Sequence, residues 1–459
     1  MAEVDVKILK SIIKDSDRIL VDGIEDSYLS DVLGRVKGYA DAVLFPVNSF
    51  EVSRIMRYAW ENQIPVTPRG AGTNLVGSTV PVEGGIVLDL SRMNKILEFD
   101  EDTLTATVEA GVVLADFQEY VEERGYFYPP DPGEKTATIG GNISTNAGGM
   151  RAVRYGVTRD YVRGLEVVLA NGEIIRLGSK NAKDASGLSL KNLIIGSEGT
   201  LAIITKCILK IIPKPEVIKS VLIPYRDVKT AIPSVLTIIK ENVNPTAIEF
   251  VERDVVRLGE DYTGLSFPYP NAGAYIIMTF DGCNHDIKEY VERVKKLSMK
   301  QGALDFLLLD NEGLSENVWK IRGCLVKAVE AVSEQEPVDL VVPINKIVEF
   351  ISFVNDYEKT SGMQMIRFGH AGDGNIHLCM VRGNRTEIEW EEELQENMNA
   401  IYQKAFSLGG LTSGEHGIGL SKRSFYLGET AKQNLELMRQ IKRAFDEREI
   451  LNRHKAYLA

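Results

Sequence analysis

A glycine-rich loop between two strand-like segments is the feature that most restricts how this chain can fold. The loop, residues 68–74 with the sequence P-R-G-A-G-T-N, follows the strand-like I-P-V-T. Glycine lets the backbone adopt positive φ and approach a ligand closely, so successive N–H groups can face phosphate oxygens. A dinucleotide fingerprint requires a helix immediately after such a loop, whereas Gly77 comes one residue late and the next segment is strand-like. The pattern therefore disfavours a Rossmann NAD site, and by itself it is more typical of a simple turn than of a phosphate site.

A second glycine-rich stretch strengthens the case for a ligand. Residues 137–149 read A-T-I-G-G-N-I-S-T-N-A-G-G, with small hydroxyl and amide side chains and no charge. A solvent-exposed loop normally carries more charge, so a loop that lines a ligand is the better interpretation, with a flexible surface loop as the alternative. A third element, G-S-E-G-T-L-A-I at residues 196–203, leads directly into a strand.

Length, charge and cysteine spacing limit the organisation and the partners of the chain. At 459 residues it exceeds what one hydrophobic core usually supports, so two or more domains are expected. The net charge of −12 argues against a nucleic-acid partner. The lack of a long apolar run and of a signal-peptide core predicts no membrane span and a cytoplasmic location. The four cysteines are far apart, which indicates neither an iron–sulfur cluster nor a disulfide framework.

A histidine-containing segment in the second half is the main candidate for metal binding. In F-G-H-A-G-D-G-N-I-H-L, Asp373 and Gly374 form a favoured two-residue hairpin turn, which predicts His370 directly opposite His377 on one sheet face. Cross-strand Cβ atoms lie about 5 Å apart, which suits two imidazoles that share an ion. A hairpin with two ordinary surface histidines is an equally open interpretation. Glu415, in the glycine-flanked S-G-E-H-G-I-G, is the obvious source of a third ligand.

Taken together, these motifs resemble a known family. R-G-A-G-T-N, A-T-I-G-G-N-I-S-T-N-A-G-G, R-Y-G-V-T-R-D-Y-V and G-S-E-G-T-L are similar to the FAD domain of vanillyl-alcohol-oxidase-type flavoproteins. The most similar branch contains D-lactate dehydrogenases, D-2-hydroxyglutarate dehydrogenases and glycolate oxidase catalytic subunits. The resemblance implies an α+β, two-domain flavoprotein. Its expected parts are an FAD-binding domain at 1–215, an α+β cap domain with the metal-binding hairpin at 216–410, and a segment at 411–459 that returns to the FAD domain.

The resemblance also implies which residues hold FAD. The diphosphate is expected against the first loop, the isoalloxazine and ribityl chain against the second stretch, and the adenosine half near the third. Relatives with covalently attached flavin have a histidine at the position of Thr73, so noncovalent FAD is expected. The expected cofactor contacts are Pro68, Arg69, Gly70, Ala71, Gly72, Thr73, Asn74, Gly77, Ser78, Pro132, Thr138, Gly140, Gly141, Asn142, Ser144, Asn146, Gly148, Glu198, Gly199, Ile203 and Asn452.

For the chemistry, the resemblance implies a divalent metal and a general base. His370, His377 and Glu415 are the expected metal ligands, and two imidazoles with one carboxylate suit Zn, Fe(II) or Mn. A metal on the α-hydroxyl of a small D-2-hydroxy acid lowers the pKa of that hydroxyl. His416 is expected to take the proton near neutral pH, while the Cα hydrogen leaves as hydride to flavin N5.

Three further positions concern the substrate. Arg322, in W-K-I-R, matches the family's W-x-x-R arginine and is expected to clamp the substrate carboxylate, and Asn375 is expected to hydrogen-bond the substrate hydroxyl. Relatives that oxidise dicarboxylic acids tend to carry a lysine just ahead of a D-x-x-V-P segment. This chain has Pro337 there, which favours D-lactate, with glycolate and D-2-hydroxyglutarate as alternatives.

The remaining expectations concern the electron acceptor, the competing functions and the C-terminus. Electrons are expected to pass to a protein such as an electron-transferring flavoprotein or an iron–sulfur subunit. A non-catalytic FAD electron relay is the alternative of another class, and the candidate site residues argue against it. Alkyl-dihydroxyacetone-phosphate synthases share the FAD domain, but no extra apolar segment predicts their wide tunnel. The family's closing F-D-P-x-x-I-L-N-P-x-K lacks both prolines here, at Glu447 and Arg453, which leaves a flavin contact from Asn452 open.

Overall fold

The first of two structural units is built from three separate stretches of the chain. The computed structural model describes residues 4–458. Its first unit contains the described residues up to Gly149, then Val157–Lys214, and then the described residues from Glu415 onward. The second unit contains Met150–Gly156 and Pro215–Gly414. Each unit therefore has to be completed by residues that are distant in the sequence.

Helices and strands alternate irregularly along the chain, as in α+β proteins. The helices are α1 Val6–Ile12, α2 Asp26–Leu29, α3 Ser49–Asn62, α4 Leu114–Glu122, α5 Ile139–Thr145, α6 Ala152–Tyr155, α7 Thr158–Tyr161, α8 Leu190–Ile194, α9 Val228–Lys240, α10 Arg253–Thr263, α11 Asn284–Lys300, α12 Glu312–Gly323, α13 Leu325–Glu330, α14 Ile347–Ser361, α15 Glu387–Ser407, α16 Arg423–Glu429 and α17 Lys432–Phe445, with short 3-10 helices at Ser16–Arg18 and Ile344–Lys346. The strands are β1 Ile19–Leu20, β2 Ala42–Leu44, β3 Val66–Arg69, β4 Ile86–Asp89, β5 Ile96–Asp100, β6 Thr105–Glu109, β7 Tyr126–Phe127, β8 Val162–Val168, β9 Ile174–Gly178, β10 Ile203–Lys210, β11 Ile212–Pro213, β12 Val217–Tyr225, β13 Ala247–Glu252, β14 Ala274–Gly282, β15 Leu307–Leu308, β16 Gln335–Val341, β17 Met365–His370 and β18 Asn375–Val381.

The first unit contains a mainly parallel sheet and an antiparallel sheet. In the four-stranded sheet, of order β1-β2-β4-β3, β4 pairs in parallel with both β2 and β3. The five-stranded sheet, of order β5-β6-β10-β8-β9, is antiparallel throughout. Strands β7 and β11 form a small separate pair. The glycine-rich loop of residues 68–74 starts at the end of β3, and no helix follows it before β4, which agrees with the exclusion of a Rossmann site.

The second glycine-rich stretch corrects the prediction of a loop. Residues Ile139–Thr145 form helix α5, whose N-cap Thr138 accepts a hydrogen bond from Gly141 N at 3.2 Å. Asn146 ends this helix in the left-handed region, at φ 51°. The composition suggested a loop because glycine, serine and threonine are poor helix formers. A Cβ at Gly140 would lie only 2.7 Å from Ala110 Cβ, so the helix backbone packs closer to its neighbour than any larger residue would allow.

The C-terminal tail completes the mainly parallel sheet without the two missing prolines. Val66 N donates to Ile450 O at 2.8 Å, and Asn452 N donates to Val66 O at 2.9 Å, so the tail runs along β3. Asp446 holds the tail by accepting from Ile450 N at 3.2 Å and from Leu451 N at 2.8 Å. The aspartate therefore constrains the turn that leads into the tail.

The second unit is organised around one antiparallel sheet of seven strands, of order β15-β12-β14-β13-β17-β18-β16. Helices α10, α12 and α13 pack on it through a hydrophobic core that includes Val251, Ile277, Ile321 and Phe368. The short segment Met150–Gly156 joins this unit because Arg154 Nη1 donates to both the carbonyl and the carboxylate of Asp281, each at 2.5 Å. None of the described helices combines the length and the apolar character needed to cross a bilayer.

The register of the β17–β18 hairpin differs from the predicted one. His370 pairs with Asn375 and His377 pairs with Phe368, so residues 371–374 form a longer loop than the two-residue turn expected at Asp373 and Gly374. The prediction that His370 lies directly opposite His377 was therefore wrong. Because the shift is by an even number of residues, both imidazoles still project from the same sheet face, as diagonal neighbours.

Candidate functional site

The three glycine-rich elements meet within the first unit. The side chain of Asn74 accepts from Val76 N and Ser78 N, each at 3.0 Å, and its Nδ2 donates to His416 O at 3.3 Å. Asn74 thus shapes the first loop and ties it to the backbone of the predicted base. At Gly70, a Cβ would collide with Thr138 Oγ1, so the first loop and the start of α5 are in direct contact.

Glu198 connects the third element to the other two. Its backbone N donates to Ser144 O at 2.8 Å. Its carboxylate accepts from Ser78 Oγ, from Ile418 N at 2.8 Å and from Gly419 N at 2.9 Å. The side chain is nearly fully buried and the residue has φ 51°. Because its carboxylate accepts from three protein donors, Glu198 holds these segments in place, and its expected contact with FAD stays a prediction.

Asn452 has a similar holding role in this arrangement. Its Nδ2 donates to Ser78 O at 3.0 Å and to Glu198 O at 2.6 Å, while its Oδ1 accepts from Lys455 Nζ at 2.6 Å. Lys455 also donates to Ser78 O at 2.9 Å, and burial lowers its pKa to about 7. The tail therefore holds Ser78, which follows the first loop, and the expected flavin contact of Asn452 stays a prediction.

All the predicted cofactor residues lie in this first unit. Gly72 illustrates why the first loop needs glycine: it has φ +73°, and a Cβ there would overlap the Arg69 guanidinium. Asn146 Oδ1 accepts from Arg159 N at 3.0 Å, and Ser144 Oγ donates to Gly140 O at 2.8 Å. The remaining residues are Pro68, Ala71, Thr73, Gly77, Pro132, Gly141, Asn142, Gly148, Gly199 and Ile203.

The buried guanidinium of Arg69 is suited to binding an anionic cofactor. Its guanidinium is buried, with Nε 4.0 Å from an Asp89 carboxylate oxygen and the guanidinium carbon 5.0 Å from the centre of the Tyr28 ring. Among residues 4–458, Nη1 finds no hydrogen-bond partner, and neither does the buried hydroxyl of Thr79 in the same segment. Burial lowers the pKa of Arg69, and burial likewise raises the pKa of Asp89. A buried donor without an acceptor is costly, so these groups suit the diphosphate of FAD.

We expect that Arg69→Met weakens FAD binding roughly 10- to 100-fold, because hydrogen bonds to a charged group contribute about 1.5–3 kcal/mol. Fluorescence titration of the apoprotein with FAD measures the dissociation constant directly. Arg92→Met is the matched control, since Arg92 is an exposed arginine near the end of β4 whose guanidinium lies 5.3 Å from the Phe45 ring centre. Equal FAD affinity in the Arg69 variant and the control would rule out this role for Arg69.

In the second unit, His370 and His377 place two ring nitrogens at a separation suited to one ion. The two Nε2 atoms lie 3.3 Å apart, with the ring planes nearly perpendicular at 88°. Metal–nitrogen bonds of about 2.0–2.1 Å in tetrahedral geometry require a separation of roughly 3.3 Å between ligand atoms. The spacing therefore matches two ligands of a common ion. It disfavours the alternative interpretation that the two histidines are ordinary surface residues.

Glu415 is the third member of this group. It follows Gly414 directly, and Gly414 N and Ser413 Oγ donate to Asp339 at 3.1 and 2.7 Å. The residues directly before Glu415 are thus held at Asp339. Among the described residues, His370, His377 and Glu415 form a group that can hold a metal, with one ligand atom from each within 4.8 Å of the others.

A buried carboxylate, Glu249 on β13, connects His370 with Arg322. Glu249 Oε1 accepts from His370 Nδ1 at 2.6 Å, and Oε2 accepts from Arg322 Nε at 3.1 Å and from Nη2 at 2.5 Å. Burial alone would raise the pKa of Glu249, but the interactions of its carboxylate with His370 and Arg322 outweigh burial and hold that pKa below its ordinary value. Arg322 also lies over Phe368, with the guanidinium carbon 5.2 Å from the ring centre.

Asn375 is held by a second buried carboxylate. Its Nδ2 donates to Asp339 Oδ1 at 2.7 Å and to Leu340 O at 2.9 Å, whereas its buried Oδ1 has no hydrogen-bond partner within the described part of the chain. Both amide hydrogens are thus committed to the protein, and the only group of this side chain left for a substrate is an acceptor. That acceptor matches the predicted contact with a hydroxyl, which donates.

Sequence analysis assigned no role to Glu249 or Asp339. Both are charged residues inside otherwise apolar strands, T-A-I-E-F-V and P-V-D-L-V-V, and both are fully buried in the structure. A charge in the middle of a buried strand is costly unless it is paired, so this pattern was the available signal. Their partners, however, come from strands and loops distant in the sequence, so the pattern alone could not name them.

Comparison with known proteins agrees with this arrangement. Residues 40–178 match the model of the FAD binding domain, and residues 214–456 match the model of the C-terminal domain of FAD linked oxidases. The chain belongs to the FAD-linked oxidases. Within them it is an oxidoreductase of the branch that contains D-lactate, glycolate and D-2-hydroxyglutarate dehydrogenases.

Individual relatives of this FAD-linked oxidase cover nearly the whole chain. It is 40% identical to the D-lactate dehydrogenase of Anaerostipes hadrus over 95% of this chain and 94% of that protein. It is also 40% identical to the glycolate oxidase subunit GlcD of Bacillus subtilis, over 94% of this chain and 92% of that protein. A probable mitochondrial D-2-hydroxyglutarate dehydrogenase of Oryza sativa is 32% identical, over 98% and 81%.

Solved structures show the same fold at much lower identity. p-Cresol methylhydroxylase superposes with a TM-score of 0.82 at 17% identity, over 99% of this chain and 96% of that one. An alkyldihydroxyacetonephosphate synthase gives 0.77 at 19% identity, over 99% and 87%. The FAD-linked oxidase therefore has the vanillyl-alcohol-oxidase-type fold, and the α+β, two-domain flavoprotein architecture predicted from its motifs is confirmed.

Proposed function

We propose that this FAD-linked oxidase oxidises a small D-2-hydroxy acid, most readily D-lactate, to the 2-oxo acid. The observation that carries the proposal is the pair of Nε2 atoms of His370 and His377 at 3.3 Å, with Glu415 completing the group. The same sheet face holds Arg322 through Glu249, so a cation for the substrate carboxylate lies beside the candidate ligands. The D-lactate dehydrogenase and glycolate oxidase names of relatives support the substrate class.

Each residue has a distinct role in this proposal. Arg322 uses the edge that does not face Glu249 to bind the substrate carboxylate. Asn375 accepts from the substrate hydroxyl through Oδ1, and His416 removes the hydroxyl proton as general base near neutral pH. Asn74 and Ser413 hold the backbone on either side of Glu415 and His416, which keeps the base in one position during proton transfer.

Two groups that the chain would bind supply the remaining chemistry. FAD, held noncovalently by the three glycine-rich elements, supplies the hydride acceptor that no side chain offers. A divalent ion (Zn, Fe(II) or Mn) held by His370, His377 and Glu415 lowers the pKa of the substrate hydroxyl. An electron relay without substrate would need neither Arg322 nor these ligands, so their joint presence favours the enzyme.

The preference for a monocarboxylic acid rests on Pro337. This residue lies in β16, two positions before Asp339, and therefore projects from the same face as Asp339 and its partner His377. A lysine at this position would add a cation for a second substrate carboxylate, whereas proline adds none. D-Lactate and glycolate thus fit this face better than D-2-hydroxyglutarate does.

Reduced flavin has to pass its electrons to an external acceptor. Cys207 and Cys379 are buried, and burial raises the pKa of the Cys379 thiol to about 12, so neither is a redox-active thiol. We propose an electron-transferring flavoprotein, with an iron–sulfur subunit as the alternative. Affinity purification from the native cell, followed by spectroscopy of the partner, distinguishes a flavin from an iron–sulfur cluster.

Anaerobic stopped-flow mixing tests the substrate. We expect D-lactate to bleach the bound flavin, and L-lactate to do so at least about 100-fold more slowly, because holding the same carboxylate and hydroxyl turns the Cα hydrogen of the L enantiomer away from the acceptor. If glycolate or D-2-hydroxyglutarate bleached the flavin faster, that acid would replace D-lactate as the preferred substrate, and the proposed reaction would stay the same. If no hydroxy acid bleached the flavin, the electron relay would be the better explanation.

A further inference from the structure

Glu249 is the centre of a buried charge network within the second unit. Its side chain has no exposed surface, and both carboxylate oxygens are used. Strand β13 pairs directly with β17 in a register that sets Glu249 opposite His370. Arg322 reaches the same carboxylate from helix α12. A single carboxylate therefore contacts one predicted metal ligand and the predicted substrate-binding cation.

The contact with His370 decides which ring nitrogen is available to a metal. A carboxylate that already accepts twice from Arg322 is an acceptor, so His370 Nδ1 must donate to it. The neutral ring then presents an unprotonated Nε2, which is the atom 3.3 Å from His377 Nε2. Carboxylates in this position orient ligating histidines and increase their basicity.

The contact with Arg322 decides which edge of the guanidinium is available. Nε and Nη2 both donate to Glu249 Oε2, and the ring of Phe368 lies against one face. Phe368 in turn pairs with His377 across the hairpin. The Nη1 side of the guanidinium is consequently left as the edge that can bind a carboxylate, at a fixed position relative to the two histidines.

We propose that Glu249 is a positioning residue that sets both the metal-binding tautomer of His370 and the substrate-binding orientation of Arg322. The inference rests on the proposed function, since it assumes that His370 binds a metal and that Arg322 binds the substrate carboxylate. It adds that metal affinity and substrate affinity depend on the same carboxylate. A change at Glu249 therefore weakens both affinities, although Glu249 itself contacts neither the metal nor the substrate.

A purely structural role is the competing explanation, and the neighbouring Glu252 shows what such a role looks like. Glu252 lies on the same strand and accepts from Arg367 Nε at 3.1 Å, while Arg367 Nη1 also donates to Glu358 at 2.8 Å. These two hydrogen bonds join Glu252, Arg367 and Glu358, none of which is a candidate site residue. Glu252→Gln is therefore the matched control for Glu249→Gln, with the same chemical change in the same strand.

The first test measures metal binding without any turnover. Titration of the full-length, FAD-loaded protein with Zn²⁺ against a chromophoric chelator should give a dissociation constant 10- to 100-fold higher for Glu249→Gln than for the unchanged protein. Glu252→Gln should bind Zn²⁺ as the unchanged protein does. Equal affinity in all three proteins would overturn the inference alone, whereas an unchanged protein that binds no Zn²⁺ would overturn the metal-dependent function as well.

The second test separates the effect on Arg322 from the effect on the metal. At saturating metal, Glu249→Gln should raise KM for D-lactate about tenfold and leave kcat nearly unchanged, because carboxylate binding is weakened in the ground state and the transition state alike. A general packing defect would not produce this split. A normal KM for D-lactate at saturating metal would show that Glu249 does not set the substrate-binding orientation of Arg322.

A third measurement needs no variant and so remains decisive if Glu249→Gln fails to fold. In the metal-free protein, the ¹⁵N shifts of the His370 ring report which nitrogen carries the proton. Assignment is practical because the chain has only five histidines. A proton on Nδ1 agrees with the proposal, and a neutral ring protonated on Nε2 would overturn it.

Discussion

Replacing His377 by alanine is expected to lower kcat/KM for the preferred hydroxy acid by about 1000-fold or more while FAD remains bound. The variant loses one of the two Nε2 atoms that lie 3.3 Å apart, so the remaining imidazole and carboxylate hold the ion weakly. Without the ion, the substrate hydroxyl keeps its high pKa, and a metal contribution of several kcal/mol to the transition state is lost. Anaerobic flavin reduction measures the rate, and elemental analysis measures the bound metal.

The matched control for this variant is His285→Ala. His285 is an exposed residue of α11 and lies outside the candidate site, so its removal should change neither the metal content nor the rate. FAD absorbance, which depends on the first unit, should stay normal in both variants. Unchanged turnover in His377→Ala with a full metal content would mean that the ion, if catalytic, is bound elsewhere.

The second large effect is expected on stability. Asp446→Ala should lower the free energy of unfolding of the first unit by about 3–5 kcal/mol, because it leaves a buried lysine without its counterion. Lys442 Nζ lies 2.5 Å from the Asp446 carboxylate, and the side chains of both are at most 1% exposed. Asp446 also accepts from Ile450 N and Leu451 N, so the variant releases the turn that leads into the tail. Urea unfolding followed by release of FAD fluorescence measures the change.

Glu447→Ala provides the comparison for this loss. Glu447 is the next residue in the chain, and its side chain is exposed, so the same carboxylate-to-methyl change should cost less than about 0.5 kcal/mol. A loss below about 1 kcal/mol in Asp446→Ala would show that Lys442 is satisfied by the carbonyls of Thr200 and Leu451 alone.

The elements set by local chemistry were predictable from the sequence. The loop after β3 depends on Gly72 at positive φ, and the residues that follow it are constrained by Asn74, so its sequence pattern is specific. The family resemblance extended this to the fold and to the histidine–glutamate group, which the structure brings together. These features can be recognised in a sequence because each requires particular residue types at short spacing.

Features that depend on distant pairing were not predictable. The hairpin register at His370 is set by neighbouring strands as well as by its own turn. A four-residue loop therefore forms in place of the preferred two-residue turn at Asp373. Glu249 and Asp339 acquired roles only through partners far away in the sequence. The short stretch Met150–Gly156 belongs to the second unit through Arg154 and Asp281, an association that no local pattern in the stretch indicates.

The discontinuity of the first unit has a consequence for how the protein matures. Strand β3 and the glycine-rich loop are synthesised early, but Asn452 and Lys455, which hold Ser78 just after that loop, follow only after the whole second unit. On the ribosome, the glycine-rich loop therefore lacks this support for the time it takes to make about 380 further residues, at roughly 5–20 residues per second. We therefore expect the flavin to be captured late in biogenesis, and a chain interrupted before its last stretch to remain colourless.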